Sequence, residues 1–256
     1  MKHIVLTIVA AATLCATTAV AQQRVRNLST STSKLNVELL QNTDQTVQVS
    51  RYFFAGYNTL CLPVSLTAEQ LQKAAPGITV ERLAAIQQEG SDLNLLFVDC
   101  TAEGISEGVP YLVYSPKAQT MFVRNTDAMS IGSETYTIRM SDNAGNQVAF
   151  SSSWESLARE GRYGIPAQQN VTPLESVLIR TEADKTFLPT RCGFAWEQQS
   201  ASARNLVIKH VSANEVTAIS NVLTEQTSSE VYDLQGRKVT SAHKGLVIEN
   251  GKKVRK

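Results

Sequence analysis

At 256 residues, 43% of them apolar and 18% charged, the chain can bury a substantial core and is not disordered in bulk. Its formal net charge is +1, and Lys2 is the only charged side chain in the first 21 residues, so the remainder carries equal numbers of acids and bases. A neutral chain has no general field to draw it onto nucleic acid or anionic lipid, and neither is an expected partner.

The chain begins with the pattern of a secretory leader. Met1-Lys2-His3 form a short basic start, residues 4–15 are apolar, and Ala19-Val20-Ala21 supply the small residues for cleavage before Gln22. Leu14, ahead of Cys15, is too large for a lipobox. The apolar run is too short for a membrane span and no later segment approaches one. Residues 1–21 are thus expected to be a signal peptide, and the protein to be exported: extracellular or on the outer-membrane surface, with the periplasm as fallback. Export would put Cys61, Cys100 and Cys192 in oxidising surroundings. They are either small buried apolar residues, or one bridge joins Cys61 to Cys192 or to Cys100 and leaves an odd thiol. Their wide spacing fits no zinc pattern, and no metal or cofactor is expected.

Residues 22–34, rich in Ser, Thr and Arg, read as a flexible spacer, and residues 35–50 as a hairpin turning at 41–45. Tyr52, Phe53 and Phe54 read as core rather than as a stacking platform. The stretch that follows organises the chain. Asn58, Leu60, Leu62 and Val64 fall on one face of a strand and Tyr57, Thr59 and Cys61 on the other. Neither face is clearly polar, so the strand should be covered on both sides, with its pairing ending near Pro63. Thr67 and Gln70 have the spacing of a capping box and predict a short helix. Residues 78–89 stay open between helix, which Leu83 and Ile86 suit, and strand, which Thr79 and Val80 suit.

Strands are expected at 93–100, 111–114 and 121–124, and a hairpin should pair Tyr136, Ile138 and Met140 with Val148 and Phe150. Residues 154–164 read as a helical turn or a loop, followed by short strands at 177–180, 186–188, 193–196 and 205–211. The sum is an all-β chain: an antiparallel β-sandwich or jelly-roll-like domain over residues 35–223, with one short helix. Residues 224–229 form a polar linker. Residues 230–256 carry seven basic and three acidic side chains and read as a small β element, turning at Gln235-Gly236 and again at Asn250-Gly251.

Three motifs carry a resemblance. Tyr57-Asn58-Thr59-Leu60-Cys61-Leu62-Pro63-Val64, Gly108-Val109-Pro110-Tyr111-Leu112-Val113 and Leu188-Pro189-Thr190-Arg191-Cys192-Gly193-Phe194 resemble, in order, signatures of a secreted β-domain family of Bacteroidota. The last is loose, with Cys-Gly-Phe where the family has Ala-Tyr-Phe. Residues 231–256 resemble the C-terminal element of surface and secreted proteins in the same bacteria. Tyr232, Asp233, Gly236 and Arg237 match its first motif, and Lys244, Gly245, Asn250, Gly251, Lys252 and Lys253 its second, with Val247 in place of an aromatic. The resemblance implies a type IX-like sorting tail that would engage export machinery. For the β domain it implies location and no activity.

The remaining motifs read most simply as structure. Gly104-Ile105-Ser106-Glu107-Gly108 has the spacing of a nucleophile elbow, but Pro110 and a β run replace the required helix. The chain beyond the leader has only His210, on the Leu206/Ile208 face of a strand, and His243 in the tail. Asp142-Asn143-Ala144-Gly145-Asn146 lacks the alternation and distant Glu of a calcium loop and reads as a hairpin turn. Glu155, Glu160 and Glu175 fall in loops where a glycosidase pair would have to be assembled. Trp154, among Ser151-Ser152-Ser153 and Glu155, keeps polar company for a core tryptophan. Trp154 and Trp196 are therefore the candidate ligand contacts, and no catalytic residue is assigned. The expectation is a non-enzymatic binding or adhesion module for a glycan or host macromolecule, then a self-associating envelope component, and last a hydrolase.

Overall fold

The computed structural model describes residues 25–42, 44–158, 160–165, 178–180, 186–216, 222–226, 231–233, 238–239, 246–249 and 252–255. The leader, Glu175, His243 and the tail positions Gly236, Arg237, Lys244, Gly245, Asn250 and Gly251 lie outside the described residues.

Strands dominate, with two helices among the described residues, and the all-β sandwich-like reading holds. One sheet has five strands in the order Asn205–Val211, Asp92–Asp99, Thr79–Glu89, Tyr111–Ser115, Gly56–Leu60. The other has six, in the order Ile179–Arg180, Arg162–Gly164, Cys192–Gln198, Gln147–Ser152, Tyr136–Ser141, Val222–Gln226. Their facing sides bury Leu83, Ile86, Leu95 and Phe97 against Ile138, Met140, Val148, Phe150 and Phe194. Phe150 and Phe194 stack at 4.3 Å, and Phe97 stands edge-on to both, at 6.0 and 6.2 Å. Offset-stacked and edge-to-face contacts suit the ring quadrupole.

A second core lies under a three-stranded sheet of Arg26–Ser29, Val47–Phe53 and Gln119–Arg124. Val47, Val49, Phe53, Met121 and Val123 meet Leu60, Leu62 and Val64 there. Cys61 faces the sandwich core, so the organising stretch is covered on both sides as expected. Asn58, buried on the same strand, gives its amide to the carbonyls of Phe54 and Gly56 at 2.9 Å each and accepts from the Phe54 N–H at 3.1 Å. Ladder pairing stops at Leu60, and the Pro63 carbonyl accepts from Gly132 N at 3.0 Å. The capping box closes as predicted, with Thr67 and Gln70 exchanging bonds of 2.8 and 3.2 Å ahead of the Ala68–Ala74 helix.

Residues 78–89 resolve to a strand, Thr79–Glu89. A bulge between Leu83 and Ala85 explains the helix-like spacing: it lets Leu83 and Ile86, three apart, enter the same core. Other expectations are corrected. Arg26–Ser29 is a strand rather than spacer, buries Leu28, and runs parallel to Val47–Phe53. The first arm of the predicted hairpin is a 3₁₀ turn, Val37–Gln41, which buries Val37 and Leu40 at its three-residue spacing. Residues 154–164 contain two short strands, Leu157–Ala158 and Arg162–Gly164. Val222–Gln226 takes half of the predicted linker into the six-stranded sheet beside Tyr136–Ser141. Asn205–Val211 lies parallel to Asp92–Asp99, so the five-stranded sheet is mixed rather than purely antiparallel. In the tail, Val231–Asp233, Lys238–Val239, Leu246–Glu249 and Lys252–Arg255 form a four-stranded sheet, with Glu249 paired to Lys252.

Candidate functional site: the Trp154 cleft

Trp154 follows the end of the Gln147–Ser152 strand and is held in place by the N-terminal segment. Leu35 N donates to the Trp154 carbonyl at 2.8 Å and Ser156 N to the Ser33 carbonyl at 2.7 Å, with Lys34 bridged to Glu155 between them. The indole Nε1–H donates to the Ser133 carbonyl at 2.7 Å. Its ring packs against the margins of both cores yet stays partly exposed. Trp154 lines a cleft of about 780 Å³ together with Lys34, Asn36, Glu38, Glu134, Thr135 and Glu155. Lys34 Nζ and Glu155 Oε1 are 2.7 Å apart, with side chains 68% and 64% exposed. The hydrogen bond and charge of Glu155 hold Lys34 above its ordinary value, and Lys34 holds Glu155 below its own. This is an amphipathic wall with amide, hydroxyl and carboxylate groups around it, the composition of a site that stacks one face of a ring and hydrogen-bonds its rim.

Trp196 is placed differently. It packs on the sandwich core and meets Tyr163 edge-on at 6.2 Å. Its Nε1 is buried with no hydrogen-bond partner among the described residues, and it does not line the Trp154 cleft. The three cysteines are buried and unbridged. Cys61 and Cys192 share the sandwich core, while Cys100 belongs to the other. Burial pushes the Cys192 and Cys100 thiols up to about 12 and the Cys61 thiol well above its ordinary value. The small-apolar reading of the cysteines fits this arrangement, and the alternative Cys61–Cys192 bridge is not formed.

Ser106 has no described histidine bonded to it; its N–H donates to the Tyr111 hydroxyl at 3.0 Å. Neighbouring Glu107 accepts from the hydroxyls of Ser65 and Ser130. The Asp142 carboxylate is spent on its own turn, accepting from Ala144 N at 3.0 Å, Asn146 N at 2.8 Å and Asn146 Nδ2 at 2.9 Å. Glu160 is exposed, and the Glu155 carboxylate is engaged by Lys34.

Sequence reasoning missed one cluster. His210 Nδ1 lies 2.8 and 3.0 Å from the two oxygens of buried Glu81, and its ring stacks on Tyr57 at 4.8 Å. Tyr114 packs against Tyr57 at 5.2 Å. Burial first, then the charges of Glu81 and Tyr114, push the Tyr57 phenol up to about 12. The four residues come from four strands of the five-stranded sheet, which must curl to bring its outermost strands together. No spacing in the sequence marks them; the only signal is that His210 alternates in step with Leu206 and Ile208. Their contacts clasp the two outermost strands of the curled sheet together.

Comparison with protein-family models, with curated proteins and with solved structures finds no match to this chain.

Proposed function

We propose that this chain is an exported, non-enzymatic binding module, displayed at the cell surface or released, that holds a glycan in the Trp154 cleft. The observation that carries the reading is Trp154 itself: its indole, anchored through Nε1 to the Ser133 carbonyl, is partly exposed at a cleft of about 780 Å³ with hydrogen-bonding side chains around it. A sugar ring has apolar faces and a hydroxylated edge, which such a site complements. The test is a glycan array followed by titration. Trp154→Ala is expected to abolish binding, while Trp154→Phe, which keeps an aromatic face and loses the Ser133 bond, retains a measurable part of it. No binding across a broad panel would sink the proposal.

A second reading, a self-associating envelope component, draws on another surface. The three-stranded sheet turns Tyr52 and Phe122 outward, 44% and 50% exposed, and Phe54, 38% exposed, meets Tyr52 edge-on at 5.1 Å. Contiguous exposed aromatics favour association. A sedimentation coefficient that does not change with concentration removes this alternative. The tail reading, a sorting element engaging export machinery, rests on the motif resemblance in residues 231–256. Deleting those residues should retain the protein inside the cell envelope; unchanged surface exposure on fractionation would end the idea.

A further inference from the structure

The charges around Trp154 narrow the sugars that the cleft would accept. Among the described residues, Glu38, Glu134 and Glu155 line it against a single cation, Lys34. That cation is already engaged: its Nζ lies 2.7 Å from Glu155 Oε1, and Glu38 acts on the same ammonium through space. The Glu38 and Glu134 side chains make no ion pair or hydrogen bond among the described residues. Among the described residues the cleft thus sets three carboxylates against one ammonium, a net excess of two negative charges beside a partly exposed indole. An ammonium group is drawn both to carboxylates and to the negative face of an indole ring, whereas a second anion there meets like charge. Uncharged hydroxyls are indifferent to the excess.

We infer that the Trp154 cleft discriminates glycans by charge, taking oligosaccharides with free amines most tightly, neutral ones less tightly, and rejecting those that carry carboxylate or sulfate. The inference rests on the glycan reading of this cleft and adds to it the chemical class of the ligand. The amine would be held by the Trp154 indole and the Glu38 and Glu134 carboxylates that line the same cleft.

The probes are a glucosamine hexamer, its N-acetylated counterpart and a hyaluronan oligosaccharide, titrated calorimetrically into the full chain at mildly acidic pH and low salt. The amine-bearing hexamer is expected to bind tightest and hyaluronan not at all. Glu38→Gln and Glu134→Gln should each weaken the amine hexamer roughly two- to fivefold, the range of a solvent-exposed ion pair, and so narrow its advantage over the N-acetylated hexamer. Added salt should remove the preference. Equal or tighter binding of hyaluronan or of the N-acetylated hexamer, or Gln variants that match the parent, overturns the charge inference and leaves the sugar site standing. A panel that is silent throughout, with tryptophan fluorescence unmoved, overturns the site and the inference together.

Discussion

Cys61, Cys100 and Cys192 are buried in the two cores, and each keeps its proton to higher pH in the folded chain than in an unfolded one. An ordinary thiol ionises near about 8.5. Above that value the unfolded chain has released protons that the native chain still holds, so alkali favours unfolding. Each thiol that remains protonated steepens the loss of stability by about 1.4 kcal/mol per pH unit. The loss levels off as Cys100 and Cys192 themselves ionise at about 12. Tyr57, raised to about 12, adds to the slope once an ordinary phenol, near about 10, would have ionised. Under reducing conditions the urea midpoint should be flat through neutral pH and fall steeply beyond about 9. Cys192→Ala should make that fall shallower; a midpoint indifferent to alkali would mean that the thiols are not held as described.

Among the elements, the Ala68–Ala74 helix is the best place to test a local device. Its seven residues are too few to be stable alone, and Thr67 joins it to the end of the organising stretch through the capping box. Thr67→Ala should cost about 1 kcal/mol, read as a lowered urea midpoint with unchanged slope. Phe150→Ala, which removes one ring of the stacked pair and a contact of Phe97, should cost about 3–5 kcal/mol. The capping box, both faces of the Tyr57–Val64 stretch and the Tyr136–Phe150 hairpin were legible in the sequence because each depends on neighbours within a few positions. Thr79–Glu89 was ambiguous because a single extra residue in its bulge imitates helical spacing. Arg26–Ser29 looked like spacer because only Leu28 on it faces a core, and its pairing partner lies about twenty residues on. The Trp154 site was half legible: polar neighbours marked the residue, but Glu38 and Glu134 reach it through the fold. Trp196 and the Glu81–His210 clasp depend on strand order, which no local pattern encodes.

At the scale of the molecule, two cores share the Tyr57–Val64 stretch. The face of Leu60 and Leu62 serves the core beneath the three-stranded sheet, and the face of Cys61 serves the sandwich. Damage in either core should therefore lower the stability of both, so Leu60→Ala and Phe150→Ala are expected to shift a single unfolding transition measured by fluorescence and by circular dichroism. Two separate transitions would show that the cores unfold independently. The sheets are stitched by contacts far apart in sequence, such as Cys192 N to the Thr59 hydroxyl at 2.8 Å and Cys61 N to the Thr190 carbonyl at 3.0 Å. Refolding should accordingly run in the slow range of all-β chains, milliseconds to seconds; stopped-flow fluorescence measures it.

The placement of Asn205–Val211 alongside Asp92–Asp99 sets an order of events for a chain still being made. Until residue 211 has emerged from a ribosome or a translocation pore, the Asp92–Asp99 backbone has a bare edge and Leu93 and Leu95 lack the cover of Leu206 and Ile208. A polypeptide stopped short of that point stays open to chaperones and proteases, and one released beyond it can zip shut. Closure of the five-stranded sheet thus waits on one of its last-made strands, however early the others are ready.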